Sequence, residues 1–391
     1  MADPGWVVFL PWVTLPEEVE LGGFRFVPVE ADSLGILFTD GDTVTSIAGM
    51  LRGYVDTEKK PITSCTMMTK PEARPPWYVP ETEITAAFSA ARTLALAAMS
   101  GQRFFEGHFA PHTNATAFRP IGQRISPPST GIAVSIPWRD GGLTAGGLKF
   151  GDFVFQEPLQ VHRTGCPETP GRFVAALEQA RRDETETWDA IEGSLPIWLL
   201  GNSEDMTLSD EACVTLNAIA FERLLRPKPS AQEFAKAFGS LWSQFARTTV
   251  ANARRVKADP KFNDEQQSWL VCQKWARELY EERNVFSHHR RHASIATNWA
   301  PWQHLVLAAY TYPLTVKLLL ERDGTYALSN EERGCCFALD PLLDRWEPRA
   351  HDLLNNEEGW DTYDDRYGRP TWSKIVGIER AVCGRMRKGS R

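Results

Sequence analysis

Residues 269–292 read WLVCQKWARELYEERNVFSHHRRH. Apolar side chains recur through this stretch at the three- and four-residue spacing of an amphipathic helix, at Trp269, Cys272, Ala276 and Leu279. Arginine and histidine gather at its far end. The pattern predicts a helix with one buried side and a basic, histidine-containing end.

Two helices are predicted ahead of this one. Ser209 is a suitable N-cap for a helix over about residues 210–225, which has acidic residues in its first turn and a Pro-rich break behind it. Residues 230–233, Ser-Ala-Gln-Glu, form a capping box that opens a second helix running to about Val250. Both helices have clear beginnings in the sequence.

The quoted stretch belongs to a third helix, for which Asn263 is a candidate N-cap, and a fourth helix follows. The fourth begins near residues 298–301, ends at Gly324 and is expected to kink at Pro313. Four helices joined by short connections predict an all-α, antiparallel four-helix bundle over residues 201–325.

The first part of the chain has a different pattern. Short apolar and β-branched runs separated by Gly, Pro and Asp indicate strands at residues 7–10, 24–29, 34–39, 131–137 and 149–161. A helix over residues 84–99, ended by Gly101, interrupts them. We therefore predict a β-rich mixed domain over residues 1–165.

Two further segments complete the predicted organisation. Residues 166–200 contain apolar and charged residues at helical spacing and are predicted to form a linking helix. Residues 326–391 are polar and broken, and they form a C-terminal extension of unknown role. The expected fold class is α+β, with the mixed N-terminal domain preceding the helical bundle.

Composition narrows the class of protein. The seven cysteines are scattered without a C-x-x-C pair, which is typical of reduced thiols in a cytoplasmic protein. The first apolar run has no basic leader and stops at Pro11, so neither secretion nor membrane insertion is expected.

Charge is distributed unevenly along the chain. The net charge is −7, which is not that of a strongly basic nucleic-acid-binding protein. Residues 1–200 hold 16 Lys and Arg against 24 Asp and Glu, whereas residues 201–330 hold 16 against 14. Any polyanion binding is therefore expected in the second part.

The end of the third helix carries the most specific motif. Arg283 is followed directly by Asn284 and, after three more residues, by His288. This arrangement resembles the R-N-x-x-x-H form of the R-x(4-6)-H signature of HEPN domains. The preceding Leu279-Tyr280 pair and the position on the third of four helices also fit that family.

A second resemblance lies upstream. Residues 198–225, with Gly201-Asn202-Ser203 and a later Ala-Phe-Glu-Arg-Leu-Leu run, are similar to the first helix of ApeA-like HEPN domains of prokaryotic antiviral systems. The resemblance covers about residues 195–325. It implies an endoribonuclease that dimerises and acts in antiviral defence, with Glu222 as a candidate polar support of the site.

The chemistry calls for these residue types in its own right. RNA supplies its own nucleophile, the 2′-hydroxyl, so a base that removes its proton and a cation that steadies the phosphate are sufficient. His288 is the predicted proton-transfer residue, and Arg283 the predicted stabiliser of charge on the phosphorane. No metal or cofactor is expected, and Asn284 completes the predicted catalytic set.

Helical geometry adds a constraint to this site. Asn284 and His288 share a face, but Arg283 and His288 lie about 140° apart around a straight helix. A site assembled where two such helices meet across a twofold axis solves the problem, and dimerisation is also what the resemblance implies. We expect RNA and a second copy of the chain as partners, and no membrane.

Several interpretations of the neighbouring residues remain open. His289 also fits the motif spacing, and it is either the catalytic histidine in place of His288 or a phosphate contact. The basic run that follows is either an RNA contact or a solvated loop; it comprises Arg290, Arg291 and His292. Glu222 either supports the site or simply pairs with Arg283 or Arg223.

Two other functions compete with the nuclease. His288 and His292 have the spacing of a metal-binding pair, although no third ligand and no correctly placed Glu accompany them. The HEPN domain could instead be a non-catalytic, dimeric RNA-binding or scaffold module. Trp275 and Tyr280 are assigned to the core or to an interface rather than to base stacking.

Overall fold

The computed structural model describes most of the chain, in two compact units that divide between Arg182 and Asp183. The described residues are 5–72, 77–101, 115–125, 131–136, 143–149, 154–158, 169–203, 208–288 and 297–345. For residues 131–136 and 143–148, and for Ser287 and His288, only the backbone is described.

The first unit combines strands with three helices in its described part. The strands are β1 (Gly5–Leu10), β2 (Val19–Leu21), β3 (Phe24–Glu30), β4 (Tyr54–Val55), β5 (Ser64–Thr69), β6 (Ile121–Ile125), β7 (Gly131–Ile136), β8 (Leu143–Lys149) and β9 (Phe155–Gln156). The helices are α1 (Gly41–Leu51), α2 (Ile84–Gly101) and α3 (Gly171–Arg182). Five strands form an antiparallel sheet in the order β2-β3-β5-β1-β6. β4 pairs with β9 in parallel, and β7 pairs with β8 antiparallel.

β1 is apolar along its whole length because other elements pack against both faces of the sheet at this strand. Val7 and Phe9 belong to one core cluster, together with Ile47 of α1. Val8 and Leu10 alternate with them and are also fully buried, and α2 contacts β1 and β2. A strand covered on both faces needs a continuous apolar run rather than an alternating pattern.

The turn between β2 and β3 is built around a glycine. Gly22 has a φ of +65°, and a Cβ there would lie 2.6 Å from the Cβ of Ala90, so no larger residue fits. Its N–H donates to Glu178 of α3 over 2.9 Å. Although burial raises the pKa of Glu178, bonds from Arg181 and Gly22 outweigh it and hold that pKa at about 2.

The second unit is helical in its described part. Its helices are α4 (Glu186–Gly201), α5 (Asp210–Leu225), α6 (Ala231–Trp242), α7 (Asn263–Gln266), α8 (Val271–His288), α9 (Pro301–Arg322) and α10 (Asn330–Arg345). α5 packs against α4, α8 and α9, while α8 also packs against α6 and α10. The third predicted helix therefore lies among several others, and α8 supplies both core contacts and the motif.

The predicted starts of α5 and α6 are confirmed by their caps. The Ser209 hydroxyl accepts from the Ala212 N–H over 3.3 Å, and the Ser230 hydroxyl accepts from the Glu233 N–H over 3.1 Å. α5 ends where Arg226 takes a left-handed φ of 49°.

Two helix bounds differ from the prediction. α6 stops at Trp242 rather than near Val250, because residues 250–252 form a separate 3-10 turn. Asn263 is the first residue of the short α7 and does not cap it, since Phe262 occupies the N-cap position without a side-chain bond.

The linking helix predicted over residues 166–200 is not one continuous helix. The segment forms α3 and α4, which belong to different units. Glu184 has a positive φ of 47°, and the Thr185 hydroxyl caps α4 by accepting from the Trp188 N–H. A left-handed residue and a new N-cap end one helix and start another.

The predicted limits of the helical domain also change. α4 packs closely on α5 and α10 packs on α8, so the helical unit begins before residue 201 and continues beyond residue 325. The described start of the extension 326–391 therefore belongs to the helical unit. The helices expected within residues 201–325 are present, but the unit holds more than four, and a HEPN-type arrangement remains a prediction.

The mixed α+β class is confirmed, with local errors. The strand expected over residues 149–161 is not continuous in its described part, where Lys149 ends β8 and Phe155–Gln156 form β9. Residues 34–39 were expected as a strand, yet residues 34–36 form a 3-10 turn that leads to α1. Leu34, Leu37 and Phe38 are buried at helical spacing, which a short apolar run cannot distinguish from a strand. None of the described helices is both long and apolar enough to cross a bilayer.

Candidate active site

Arg283 lies near the end of α8 and contacts α5. Its Nη2 lies 3.2 Å from Oε2 of Glu222, and its guanidinium carbon lies 5.0 Å from the centre of the Tyr280 ring. The Tyr280 hydroxyl lies 3.5 Å from the other oxygen of Glu222. Arg223 donates instead to the carbonyl of Gly193, so the ion-pair partner of Glu222 is Arg283.

The Arg283–Glu222 pair is partly buried. The two side chains are 26% and 22% exposed. The guanidinium is held between a carboxylate and an aromatic ring, with part of its donor edge open. An arginine fork holds two parallel bonds, so the open donors could still bind a phosphate.

The α8 backbone remains helical through the whole motif. It runs without a break from Val271 to His288, so the rotation of about 140° between Arg283 and His288 applies to this structure. Asn284 is partly buried. The side chain of His288 is not described, and the remaining predicted contacts lie outside the described residues; they are His289, Arg290, Arg291 and His292.

Acidic groups surround Arg283 at this end of α8. Glu281 pairs with Arg277 over 2.7 Å. Burial, and then the carboxylates of Glu211 and Glu281, raise the pKa of Glu282. The described carboxylates here outnumber the described cations, so most of the charge that an RNA backbone needs must come from elsewhere.

An apolar side chain stands exposed beside the motif. Phe286 is 49% exposed, although large hydrophobic residues in the described part of the chain are mostly buried. It lies three residues after Arg283 and therefore on a neighbouring part of the helix surface. An exposed aromatic ring next to charged side chains is typical of a contact surface.

The earlier half of α8 carries a second, fully buried polar cluster. Lys274 Nζ lies 3.8 Å from Oε2 of Glu278, and the two side chains are each 1% exposed. Nε2 of His304, from α9, lies 3.9 Å from Oε1 of Glu278. Burial lowers the pKa of His304 to about 3, so its ring is neutral near pH 7 and this approach is not an ion pair.

Glu278 anchors the chain where it enters α9. It accepts hydrogen bonds from the Trp299 N–H and from the Asn298 amide, both over 3.1 Å. Burial raises the pKa of Glu278 to about 7, although these bonds and Lys274 act in the opposite direction. Its position inside the protein excludes contact with RNA, so its role is structural.

Sequence reasoning missed this buried cluster. Lys274 and Glu278 have the i, i+4 spacing of an ordinary exposed ion pair on a helix surface. Only the packing of other helices over that face makes them buried, and no local signal reports that packing. The assignment of Trp275 and Tyr280 to the core is confirmed, since they are 0% and 6% exposed.

An open cleft of about 740 Å³ lies elsewhere in the helical unit. α4, α5, α6 and α9 line it, and none of the motif residues does. Two of its charged side chains already have partners, since Arg226 pairs with Asp189 and Glu321 pairs with Arg333. The cleft and the motif are therefore separate features.

The chain matches no protein-family model, no curated protein and no solved structure. The HEPN resemblance consequently rests on the motif residues and on their helical setting. Among the described residues, no group of three or more His, Cys, Asp and Glu side chains could hold a metal ion. The histidines of the metal alternative, His288 and His292, have side chains outside that description.

Proposed function

We propose that the protein is a metal-independent endoribonuclease of HEPN type that acts in prokaryotic antiviral defence. The observation that carries the proposal is the position of Arg283: Glu222 and Tyr280 hold its guanidinium at a partly open surface of α8, five residues before the helix ends at His288. The defence role rests on the resemblance alone. A sensor or regulatory role for the β-rich domain over residues 1–165 is part of the same proposal, and the resemblance does not extend to that domain.

The proposed reaction is an internal transesterification. Neutral His288 takes the proton of the 2′-hydroxyl, and the 2′-oxygen attacks the adjacent phosphorus as the bond to the 5′-oxygen breaks. A proton returned to that oxygen completes the step, giving a 2′,3′-cyclic phosphate and a 5′-hydroxyl. Arg283 stabilises the charge that builds on the phosphorane, and Asn284, on the face of His288, orients the reacting groups.

The site is proposed to form between two copies of the chain. One α8 presents Arg283 and His288 on different sides, so the Arg283 of one copy would meet the His288 of the other. The exposed Phe286 supports a contact between copies at this place. Light scattering should report a dimer, and Phe286→Glu should shift it to monomers and lower cleavage; a wild-type monomer that cuts RNA would refute the shared site.

The decisive test of the function is the chemistry of the product. Purified protein incubated with total cellular RNA in excess EDTA should still cleave, leaving 2′,3′-cyclic phosphate ends that mass spectrometry identifies. A single deoxynucleotide at the cut position should block the reaction, and His288→Ala should abolish it. Linear 3′-hydroxyl ends, or activity lost in EDTA and restored by Zn²⁺, would refute this mechanism.

One observation favours the alternative, a non-catalytic dimeric RNA-binding or scaffold module. The Glu222 carboxylate already pairs with the Arg283 guanidinium, at the position where a catalytic arginine would bind a phosphate. If this pair is permanent, the protein would bind RNA without cutting it. Intact RNA after prolonged incubation with a protein that binds it would favour the module.

A further inference from the structure

The segment between α6 and α7 carries an unusual concentration of positive charge. Residues 247–258 read RTTVANARRVKA, with four cations and no acidic residue, in a chain of net charge −7. Arg254, Arg255 and Lys257 are exposed. We call these three side chains the basic strip.

The shape of this segment is set by hydrogen bonds from its backbone N–H groups to two carboxylates of α10. Asp340 accepts from the N–H groups of Arg247 and Thr248 over 2.6 and 2.7 Å. Asp344, one turn later, accepts from those of Arg254 and Arg255 over 3.0 and 2.9 Å.

Those two carboxylates are buried, with residue exposures of 7% and 5%. They bond backbone groups rather than guanidinium groups. The segment is therefore held in place through its backbone N–H groups, and its cationic side chains remain on the outer surface.

Ion pairing distinguishes the basic strip from half of the described cations of the helical unit. Eight described cations of that unit have a carboxylate partner: Arg226, Lys236, Lys274, Arg277, Arg283, Lys317, Arg322 and Arg333. Among the described residues, no carboxylate pairs with the basic strip; the one side-chain bond it makes runs from Arg255 to the carbonyl of Arg345. These cations are available to an anionic partner.

The basic strip is tied to the helix that carries the motif. The Asn298 side chain bonds the N–H and the carbonyl of Lys257 over 2.8 and 3.1 Å. Its amide also donates to Glu278 of α8. Glu278 lies ten residues before His288, about 15 Å along the helix axis.

We propose that the basic strip binds the phosphate backbone of RNA and supplies affinity that the acidic surroundings of Arg283 do not. This inference rests on the proposed function and extends it to the substrate contact. The segment offers charge without apolar anchors, since Val250 and Val256 are buried. A lipid surface would favour exposed apolar side chains beside the cations, whereas a phosphate backbone requires only donors.

The test measures binding apart from cleavage. The probe is a fluorescein-labelled, fully 2′-O-methylated 20-nucleotide RNA, which keeps its phosphates and cannot be cut by 2′-hydroxyl attack. Anisotropy titrations of the full-length protein at several KCl concentrations give Kd and its salt dependence. R254Q/R255Q/K257Q should weaken binding about tenfold at low salt and reduce the slope of log Kd against log salt by about 2, at about 0.7 per lost phosphate contact.

Two variants control for charge and for folding. R52Q/K59Q/K60Q makes the same charge change on exposed residues of the first unit and should leave the slope unchanged. R254K/R255K keeps the charge and should also keep the slope. If the triple variant does not fold, Lys257→Gln alone should lower the slope by about 0.7.

The outcomes separate this proposal from the nuclease assignment. If the triple variant of the basic strip and its control variant show equal slopes of log Kd against log salt, the basic strip does not bind RNA, even if unmodified RNA is still cut. RNA binding that depends on the basic strip, without any cleavage, supports the proposed RNA contact and refutes the nuclease assignment. A wild-type protein that ignores RNA but binds anionic lipid vesicles through these residues overturns the proposal.

Discussion

Two cation–carboxylate pairs on or against α8 have opposite environments. Lys274 and Glu278 are sealed in the core at 3.8 Å, each 1% exposed. Arg283 and Glu222 lie closer, at 3.2 Å, yet about a quarter of each side chain faces solvent. The same helix thus begins as part of the core and ends at a surface.

The difference teaches how to separate structural from functional charge in this molecule. The buried pair cannot reach a ligand. Its separation of 3.8 Å is longer than a hydrogen bond. Its effect on stability therefore depends on the cost of burying the two charges and on their relative position, rather than on a tight contact. The partly exposed pair can exchange one partner for another, because water and ligand reach it. Four predictions test this contrast.

The largest effect is expected from Lys274→Met. This change leaves the Glu278 carboxylate buried without its cation, which should lower the free energy of unfolding by about 3–5 kcal/mol at pH 8. The loss should shrink at pH 5, because the unpaired carboxylate takes up a proton. Urea denaturation measures both values. Lys236→Met, at an exposed pair on α6, should leave the midpoint unchanged, and equal losses at both pH values would contradict the account.

Arg283→Met should lower activity strongly and stability only weakly, the reverse of what is expected for Lys274→Met. Cleavage should fall about 10²–10³-fold because a donor aimed at the phosphorane is lost. The free energy of unfolding should change by less than about 1 kcal/mol, since the pair is partly solvated. Rates per folded molecule decide it, with Lys274→Met as the matched control that keeps activity. A variant that cuts RNA at the wild-type rate would remove Arg283 from the mechanism.

The pH dependence of stability gives a third, smaller effect. Burial raises the pKa of Glu278 to about 7 in the folded protein, above its unfolded value of about 4.3, so the folded state holds more protons between these limits. Its contribution is therefore complete below about pH 4.3 and is lost as pH rises through 7, by up to about 4 kcal/mol. The double variant Lys274→Met/Glu278→Gln, which cannot titrate there, should lack this slope; parallel profiles would show that Glu278 does not titrate in this range.

The smallest effect is expected from Glu222→Gln. The amide keeps an acceptor near Arg283 and Tyr280 but removes a negative charge beside the proposed phosphate position. RNA should bind about threefold more tightly, with stability reduced by less than about 1 kcal/mol. Anisotropy with the uncleavable RNA measures this, and weaker binding would indicate that Glu222 mainly positions Arg283.

The sequence predicted those parts of the fold that have local causes. The hydroxyls of Ser209 and Ser230 cap their helices as expected, because an N-cap acts within three residues. Trp269, just before α8, and the apolar side of α8 as far as Leu279 are buried, as their spacing indicates. The break at Glu184 was missed because a left-handed residue other than Gly or Asn carries no clear signal.

The candidate site was predictable only in part. The pairing of Glu222 with Arg283 was one of two partners considered, and only the packing of α5 on α8 selects it. The burial of Lys274 and Glu278 depends on residues far away in sequence, including Asn298 and His304. The spacing that suggests an exposed pair is identical to the spacing of this buried one, so periodicity alone cannot separate them.

The carboxylates of α10 also set an order of events during synthesis. Asp340 and Asp344 bond backbone groups 89 to 93 residues earlier in the chain. Contacts of such long sequence separation form late, and the ribosome makes the earlier residues first. The segment with the basic strip therefore waits for α10 to emerge and dock, which pulsed hydrogen exchange would show as late protection of the Arg247 and Arg254 amides. Until α10 has docked, the segment lacks the four backbone hydrogen bonds that fix the proposed RNA-contact surface.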